Sequence, residues 1–367
     1  MLSRKVAWFW PVVVSLLVTG AYIGLRLVLN DFDPLALAEI GSRYAQMDPT
    51  GEPGYDGQFS YYVARDPDPK TVEPFLDVPA YRYQRILYPL LAHTLAFGRQ
   101  EILPWALIGV NWIAHALATL GVCWILYQRG YQAYYGLIYG VWVGLVAAVG
   151  LDLHEPLAYA LVVGAWVMKE KQHHHLFALC LVLSLFAKET TLLFWAAGVV
   201  ATLHDRTQRN TNAILLIGGV MYAAWQGWLW WMFGSFGLGS GGDMATGFEW
   251  VPFMGLLRIG FVNWKVFGIY LLVFGPTIVL PSIWGLIESW KNRSQILGDW
   301  AFSSLLLHAL VIVFLPFSTF REPMGIVRIA TGLVLSVLMV AQARNNRRVL
   351  NYGFFWIPML VILIPQA

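Results

Sequence analysis

Apolar residues in this chain run for about twenty positions at a time and are broken by short polar stretches. Such runs match the roughly 20 residues that a straight helix needs to cross the hydrocarbon core of a bilayer. The pattern predicts eleven spans, near 7–29, 104–127, 134–150, 156–168, 176–187, 190–204, 212–232, 266–288, 300–317, 324–342 and 350–365. Three of these, 156–168, 176–187 and 190–204, fall short of that length and read as tilted, broken or buried within a bundle. The first run follows Arg4 and Lys5 and exceeds a signal-peptide core. No small-residue cleavage site comes after it, so it is expected to stay attached as the first helix. The expected fold class is therefore all-α and polytopic, one membrane domain over residues 1–367. Its first loop, 30–103, is long, and its second, 233–265, is shorter.

Composition strengthens this reading. The chain is 58% hydrophobic and 12% charged, about half the charge of a soluble domain. Its 18 Trp and 17 Tyr suit a protein with many membrane–water boundaries, where amphipathic rings settle at headgroup level. Cys123 and Cys180 both lie inside apolar runs and read as small buried hydrophobes, with no disulfide framework or zinc site.

Charge then sets an orientation. With the amino terminus in the cytoplasm, Arg129, Lys169, Lys171, Arg206, Arg209, Lys291, Arg293, Arg344, Arg347 and Arg348 fall in or beside short inner loops. Only Glu170, Asp205, Glu288 and Asp299 accompany them, as the positive-inside rule requires. The long 30–103 loop is then extracytoplasmic. Its last part, RILYPLLAHTLAFG, is apolar but short and flanked by Arg82, Arg85 and Arg99, so it is expected to lie in the outer interface. The second loop carries GSFGLGSGGD, which lacks the Lys-Ser/Thr of a nucleotide loop and reads as a lid or linker.

Candidate chemistry gathers on the same side. Ionisable groups at membrane depth mark a function or an internal partner. Here they fall at helix ends: Asp152, His154 and Glu155 in LDLHEP, Lys188 and Glu189 in AKET, and Arg321 and Glu322 in TFREP. Arg328 lies seven residues past Arg321, which on a continuous helix places both on one face. With Asp56, Arg82 and Arg85 they can line one outward cavity. Arginines hold a phosphate through forked, charge-assisted hydrogen bonds, and a carboxylate takes the proton of a hydroxyl nucleophile. Glycosyl transfer from a lipid phosphate by inverting displacement fits that combination, among other chemistries.

Residues 54–64 read GYDGQFSYYVA and residues 81–92 read YRYQRILYPLLA. This pair resembles a bacterial family of membrane proteins associated with cell-surface glycopolymer formation, which joins a GYDGQFYY-type motif to an RYQRILYPLLA-type motif in the first outer loop. It is similar, more distantly, to the GPI mannosyltransferase II family. HEPLAYAL at 154–161 and AKET at 187–190 extend the likeness to about half of the chain. Both families look like GT-C glycosyltransferases. The resemblance implies a bundle of about eleven helices with interfacial helices in the first extracytoplasmic loop. It also implies a hexosyl- or pentosyltransferase of the bacterial inner membrane that uses a polyprenyl-phosphate sugar donor and a lipid or glycan acceptor.

Carried onto this chain, the motif's base falls on Asp56, with Asp33 and Asp31, directly after the first helix, as alternates. Donor phosphate would lie among Arg82, Arg85, Lys188, Arg321 and Arg328. Sugar or acceptor would meet Tyr55, Gln58, Tyr83, Gln84, Asp152, His154, Glu155, Glu189 and Glu322. Asp77, in LDVP where relatives read LDNP, is a weaker candidate. A divalent cation such as Mg or Mn is compatible with so many outer carboxylates, although no spacing here is that of a metal motif. Membrane lipids are expected partners and nucleic acid is not. Rival readings are a flippase for lipid-linked sugars and a non-catalytic subunit of an assembly complex. Asn111 and His115, four apart on one helix face, read as interhelical hydrogen-bonding groups. His173–His175 read as a solvated turn, and the aromatic run at 225–231 as an interface belt or a sugar platform.

Overall fold

The computed structural model describes residues 8–203, 205–242 and 244–366, so Arg4 and Lys5 of the orientation argument lie outside the described residues. Those residues form helices and connecting turns, with no strand among them. Each of the eleven expected segments is helical. Six helices among the described residues are long and apolar enough to cross a membrane: Trp10–Leu29, Leu103–Gln128, Arg209–Phe233, Trp264–Lys291, Pro323–Ala343 and Arg347–Ile364. The expectation of eleven spans thus narrows to these six, with the broken segment below as a seventh. The Glu155–Glu170, His174–Ala187, Glu189–Leu203 and Trp300–Val313 helices are shorter than a straight crossing requires.

The broken segment is Ala133–Gly140 followed by Val143–Gly150, bent by 53°. Every residue of Val143–Gly150 is buried, so this piece is a core element with no exposed face. A break in a helix frees backbone groups, which must find partners when water is absent. The Gly140 carbonyl accepts the Ser15 hydroxyl at 2.6 Å and lies 2.9 Å from His115 Nε2. Past the break, Trp142 Nε1 donates to Thr331 Oγ1 at 2.9 Å. Asn111, one turn before His115, donates to the Leu153 carbonyl at 2.7 Å. Both residues therefore make the interhelical bonds that their spacing suggested.

Around this core, Glu155–Glu170 packs between Leu103–Gln128 and His174–Ala187, while Trp300–Val313 packs against Leu280–Lys291, Leu192–Leu203 and Thr331–Ala343. The charged ends of these helices separate. Arg129 pairs with Glu170 at one end, at 2.7 Å, and Glu155 sits at the opposite end of the same helix.

The first loop folds as a compact cap at the Glu155 end. Arg26, near the end of the first helix, binds Glu39 at 2.6 Å, and the Glu39 carbonyl accepts the Tyr55 amide at 2.9 Å. Gln58 staples the loop from inside, accepting from Gly41 N at 3.2 Å and donating to Pro53 O at 2.7 Å. The Gly57–Arg65 helix then packs on Leu87–Leu95 and on Leu103–Gln128. Leu87–Leu95 is the short helix expected at the interface. Two glycines of GYDGQ are dictated by space. Gly54 has φ +66, and a Cβ on Gly57 would lie 2.2 Å from the Leu151 carbonyl and 3.1 Å from Ala38 Cα.

Gly57→Ala is accordingly expected to push the loop off its seat and cost about 1–3 kcal/mol. Gly24→Ala, where a Cβ meets nothing within 4 Å, is the control and should leave stability unchanged. Thermal unfolding of the detergent-solubilised variants, followed by tryptophan fluorescence, checks the difference. Equal midpoints would refute the packing argument.

Candidate functional site

At the Glu155 end the first loop, the middle helices and the Pro323–Ala343 helix meet in one ionic network. Asp56 stands at the start of Gly57–Arg65, held there by Tyr55 N, Gln58 and the glycine seat. Its Oδ1 accepts from Arg82 Nη1 at 2.8 Å and its Oδ2 from Arg328 Nη2 at 2.9 Å. Arg82 also forks onto Asp77, through Nε and Nη2, both at 2.7 Å. The guanidinium lies 4.2 Å from the Phe59 ring centroid and 5.0 Å from that of Tyr81. Arg85, three residues on, makes a second fork onto Glu189 at 2.6 and 2.7 Å.

Arg328 joins this group to the core. Its Nε donates to Glu155 Oε1 at 2.6 Å and its Nη1 to the Tyr55 hydroxyl at 2.9 Å. Tyr55 in turn donates to Glu322 at 2.5 Å. Glu155 Oε1 receives Lys188 Nζ as well, at 3.0 Å. Glu155 is fully buried, and its Oε2 has no hydrogen-bond partner among the described residues. Asp56 is the more open carboxylate, with 26% of its side chain exposed against 17% for Glu189.

The network is close to electrically neutral: Arg82, Arg85, Lys188 and Arg328 face Asp56, Asp77, Glu155 and Glu189. Burying ions is tolerated only with such pairing. Among the described residues, Arg85 Nη1 makes no hydrogen bond and Lys188 Nζ pairs with Glu155 alone. Burial raises the pKa of Asp56, but Arg82 and Arg328, with Arg85 behind them, more than reverse this and hold the carboxyl well below its usual range. Burial pushes the Tyr55 phenol up, opposed by Arg328.

Most of the expected charged residues converge here, and the exceptions have physical reasons. Arg321 is exposed and lies over Phe317, 5.9 Å from its ring centroid. It does not share a helix with Arg328, because Glu322 is extended (φ −102, ψ 108) before Pro323, and the chain breaks into Phe317–Arg321 and a new helix. Proline disfavours helical backbone at the residue before it, which explains the failed seven-residue spacing. Asp33 caps the turn Pro34–Ala38 by accepting from Leu35 N at 2.9 Å, and Asp31 is exposed at φ +53. Neither alternate base reaches the network. Asp152 is buried beside Tyr88, where burial holds its carboxyl well above the usual range despite Arg26 and Tyr88. His154 stacks edge-on against Tyr88 and lies 3.5 Å from Ser60 Oγ.

Gln58, Tyr83 and Gln84, expected at a sugar, serve the scaffold. Tyr83 donates to the Pro67 carbonyl and packs on Trp225, Trp228 and Phe233. Gln84 donates to Gly237 O at 3.1 Å and faces Tyr222 and Gln226. Trp225 and Trp228 of the aromatic run are thus half-buried packing partners, whereas Trp230 and Trp231 are exposed.

Asp77, a weaker candidate in the sequence, pairs with Arg82, and the glycine segment, read there as a lid or linker, lies beside that pair. The only signal for Asp77 was its place just before the RYQR motif. The segment around 234–242 lies directly on the site: a Cβ on Gly237 would fall 2.7 Å from Ala80 O, and one on Gly242 would fall 3.0 Å from Arg82 Nη2. Its glycines let backbone approach the Arg82–Asp77 pair. A divalent cation finds no ready cage, since Asp56, Asp77, Glu155 and Glu189 are all engaged by guanidinium or ammonium groups. Among the described residues, no three His, Cys, Asp or Glu side chains gather to hold a metal ion.

Compared with protein-family models, curated proteins and solved structures, the chain matches none of them.

Removing Arg328 leaves Glu155 with Lys188 alone and Asp56 with Arg82 alone. Arg328→Met is expected to destabilise the protein by about 3–5 kcal/mol, the usual penalty for removing one partner of a buried ionic cluster. Arg321→Met, at an exposed side chain, should change stability by less than about 0.5 kcal/mol. Thermal midpoints in detergent compare the two, and similar losses would mean that the network does not hold this end together.

Proposed function

We propose that this protein is a membrane glycosyltransferase of GT-C type. In this reading it transfers a hexosyl or pentosyl group, with inversion, from a polyprenyl-phosphate donor to an acceptor hydroxyl on a cell-surface glycan or glycolipid. One observation carries the reading. Asp56, the most exposed of the Asp56, Glu189 and Glu155 carboxylates, is held by Arg82 and Arg328, and in the same network Arg85 stands on Glu189 and Lys188 on Glu155. A carboxylate in such a network of cations suits a reaction in which one side chain takes a proton while its neighbours hold a phosphate. The bundle is then read as GT-C-like, lying in a bacterial inner membrane with the Asp56 end extracytoplasmic. The basic loops at the opposite helix ends support that orientation.

The step balances simply. The acceptor O–H loses its proton to Asp56 as the oxygen attacks the anomeric carbon. The bond from that carbon to the phosphate oxygen breaks, and polyprenyl phosphate leaves as an anion on Arg85 and Lys188. No strong general acid is needed, because the leaving group is already a stable anion. Asp56 is a weak base while both its oxygens hold guanidinium groups. In our reading the arriving phosphate draws Arg82 and Arg328 towards itself, which restores basicity to Asp56 only when donor is present.

Asp56→Asn is expected to lower transfer at least 10³-fold in purified protein given a panel of radiolabelled polyprenyl-phosphate sugars, while folding and membrane insertion persist. Full activity in that variant would sink the assignment, and vectorial movement of intact donor without transfer would favour a flippase.

The pH profile tests the unlocking. In the free enzyme the depressed Asp56 stays charged until pH falls below its usual value of about 4, so the acid limb of kcat/KM should carry no Asp56 titration at pH 5–8. The acid limb of kcat, which reports the donor complex, should lie at higher pH. Coincident limbs would contradict the proposed role of the phosphate.

A further inference from the structure

A second set of arginines lies at the other end of the Pro323–Ala343 helix. Arg344, Asn345, Asn346, Arg347 and Arg348, with Glu288 from the Trp264–Lys291 helix, line a cleft of about 530 Å³. At 1.5 Å rise per residue, Arg344 stands roughly 24 Å along the helix from Arg328, so this cleft is separate from the Asp56 network.

Its chemistry differs from that network in one respect: among the described residues its arginines have a single, distant carboxylate partner. Arg344 approaches Glu288 only to 3.8 Å, while Arg347 and Arg348 are exposed and make no ion pair among the described residues. The Asn345 side-chain oxygen is occupied by the Tyr131 hydroxyl at 2.9 Å, and that of Asn346 by Val349 N at 3.3 Å. Their amide NH2 groups therefore keep their hydrogens for another acceptor. Glu288, the only acidic group lining the cleft, already accepts from Asn292 Nδ2 at 3.0 Å. Three guanidinium groups and two amides around one occupied carboxylate make a site for an anion with several acceptor oxygens, and a phosphate meets that description.

The setting selects the source of the phosphate. The cleft sits where three helices capable of crossing a membrane begin or end. Two of them are only 28% buried over their apolar windows, with Ile283, Ile287 and Trp290 exposed on one and Phe355, Val361 and Ile364 on the other. Apolar surface beside a cationic cleft at a helix end accommodates acyl chains and a headgroup together. We infer that this cleft binds the phosphate of an anionic membrane phospholipid.

The test uses full-length protein in a neutral detergent, titrated with short-chain phosphatidylglycerol, short-chain phosphatidylcholine or inorganic phosphate. Bound molecules are counted by native mass spectrometry. Phosphatidylglycerol should bind at least tenfold more tightly than phosphatidylcholine or inorganic phosphate. The double variant Arg347→Gln/Arg348→Gln should weaken it on the order of 30-fold. Arg258→Gln/Lys265→Gln, which removes the same charge elsewhere, should leave it unchanged. Unaltered binding in the first variant, or an equal loss in the second, would overturn the site. Inorganic phosphate binding as tightly as the lipid would overturn the choice of a lipid ligand.

Discussion

Arg328 donates to Glu155, to Asp56 and to the Tyr55 hydroxyl, and so joins its helix to two segments that lie far from it and from each other in the sequence. Each arm answers a different need. The arm to Glu155 pairs a fully buried carboxylate, the arm to Asp56 fixes the first loop, and the arm to Tyr55 reaches Glu322 on its own side of the chain. A single point charge such as lysine cannot direct hydrogen bonds in three directions from a planar fork, so this position requires arginine. Without this link the cap formed by residues 30–102 would still rest on the helices through apolar contacts, the Arg26–Glu39 and Arg85–Glu189 pairs and Gln84, but Asp56 would have no tie to Glu155 or to the Pro323–Ala343 helix.

The network carries a tension between holding the fold and doing chemistry. Neutral pairing makes a buried group of ions tolerable, and the same pairing occupies the atoms that a reaction would use. Asp56 shows this most directly, because the guanidinium groups that position it also remove its basicity. Arg85 and Lys188 are less completely paired among the described residues. The cleft at Arg344–Arg348 answers the same physics differently: it lies at the surface, where water screens its arginines and they need no carboxylate partners.

How much of this was legible in the sequence depends on range. Local regularities were readable: apolar runs marked the long helices of the bundle, and the four-residue spacing of Asn111 and His115 found their role as bridges. The glycines at 54 and 57 and the arginines at 82 and 85 announced a special loop. Pairing across the chain was not readable. Nothing in the order of residues says that Arg85 meets Glu189 while Arg82 meets Asp77, because those choices are made by packing at distances that no periodicity records. Arg321 failed for a local reason, since proline at 323 ended a helix that charge spacing alone would have continued. Helix length misled as well: Val143–Gly150 is as apolar as any span, but it is apolar because it is the core.

The ionic network also has an order of assembly. A membrane chain is made and inserted from its amino terminus, so Asp56, Arg82 and Asp77 exist together early, and Glu155 and Lys188 follow. Arg328 comes last, when nearly nine-tenths of the sequence has been made. Until then Asp56 holds one guanidinium and Glu155 only an ammonium. The site is therefore completed at the end of biogenesis, and a chain stopped before residue 328 holds most of the helices but not the contact that closes them around Asp56.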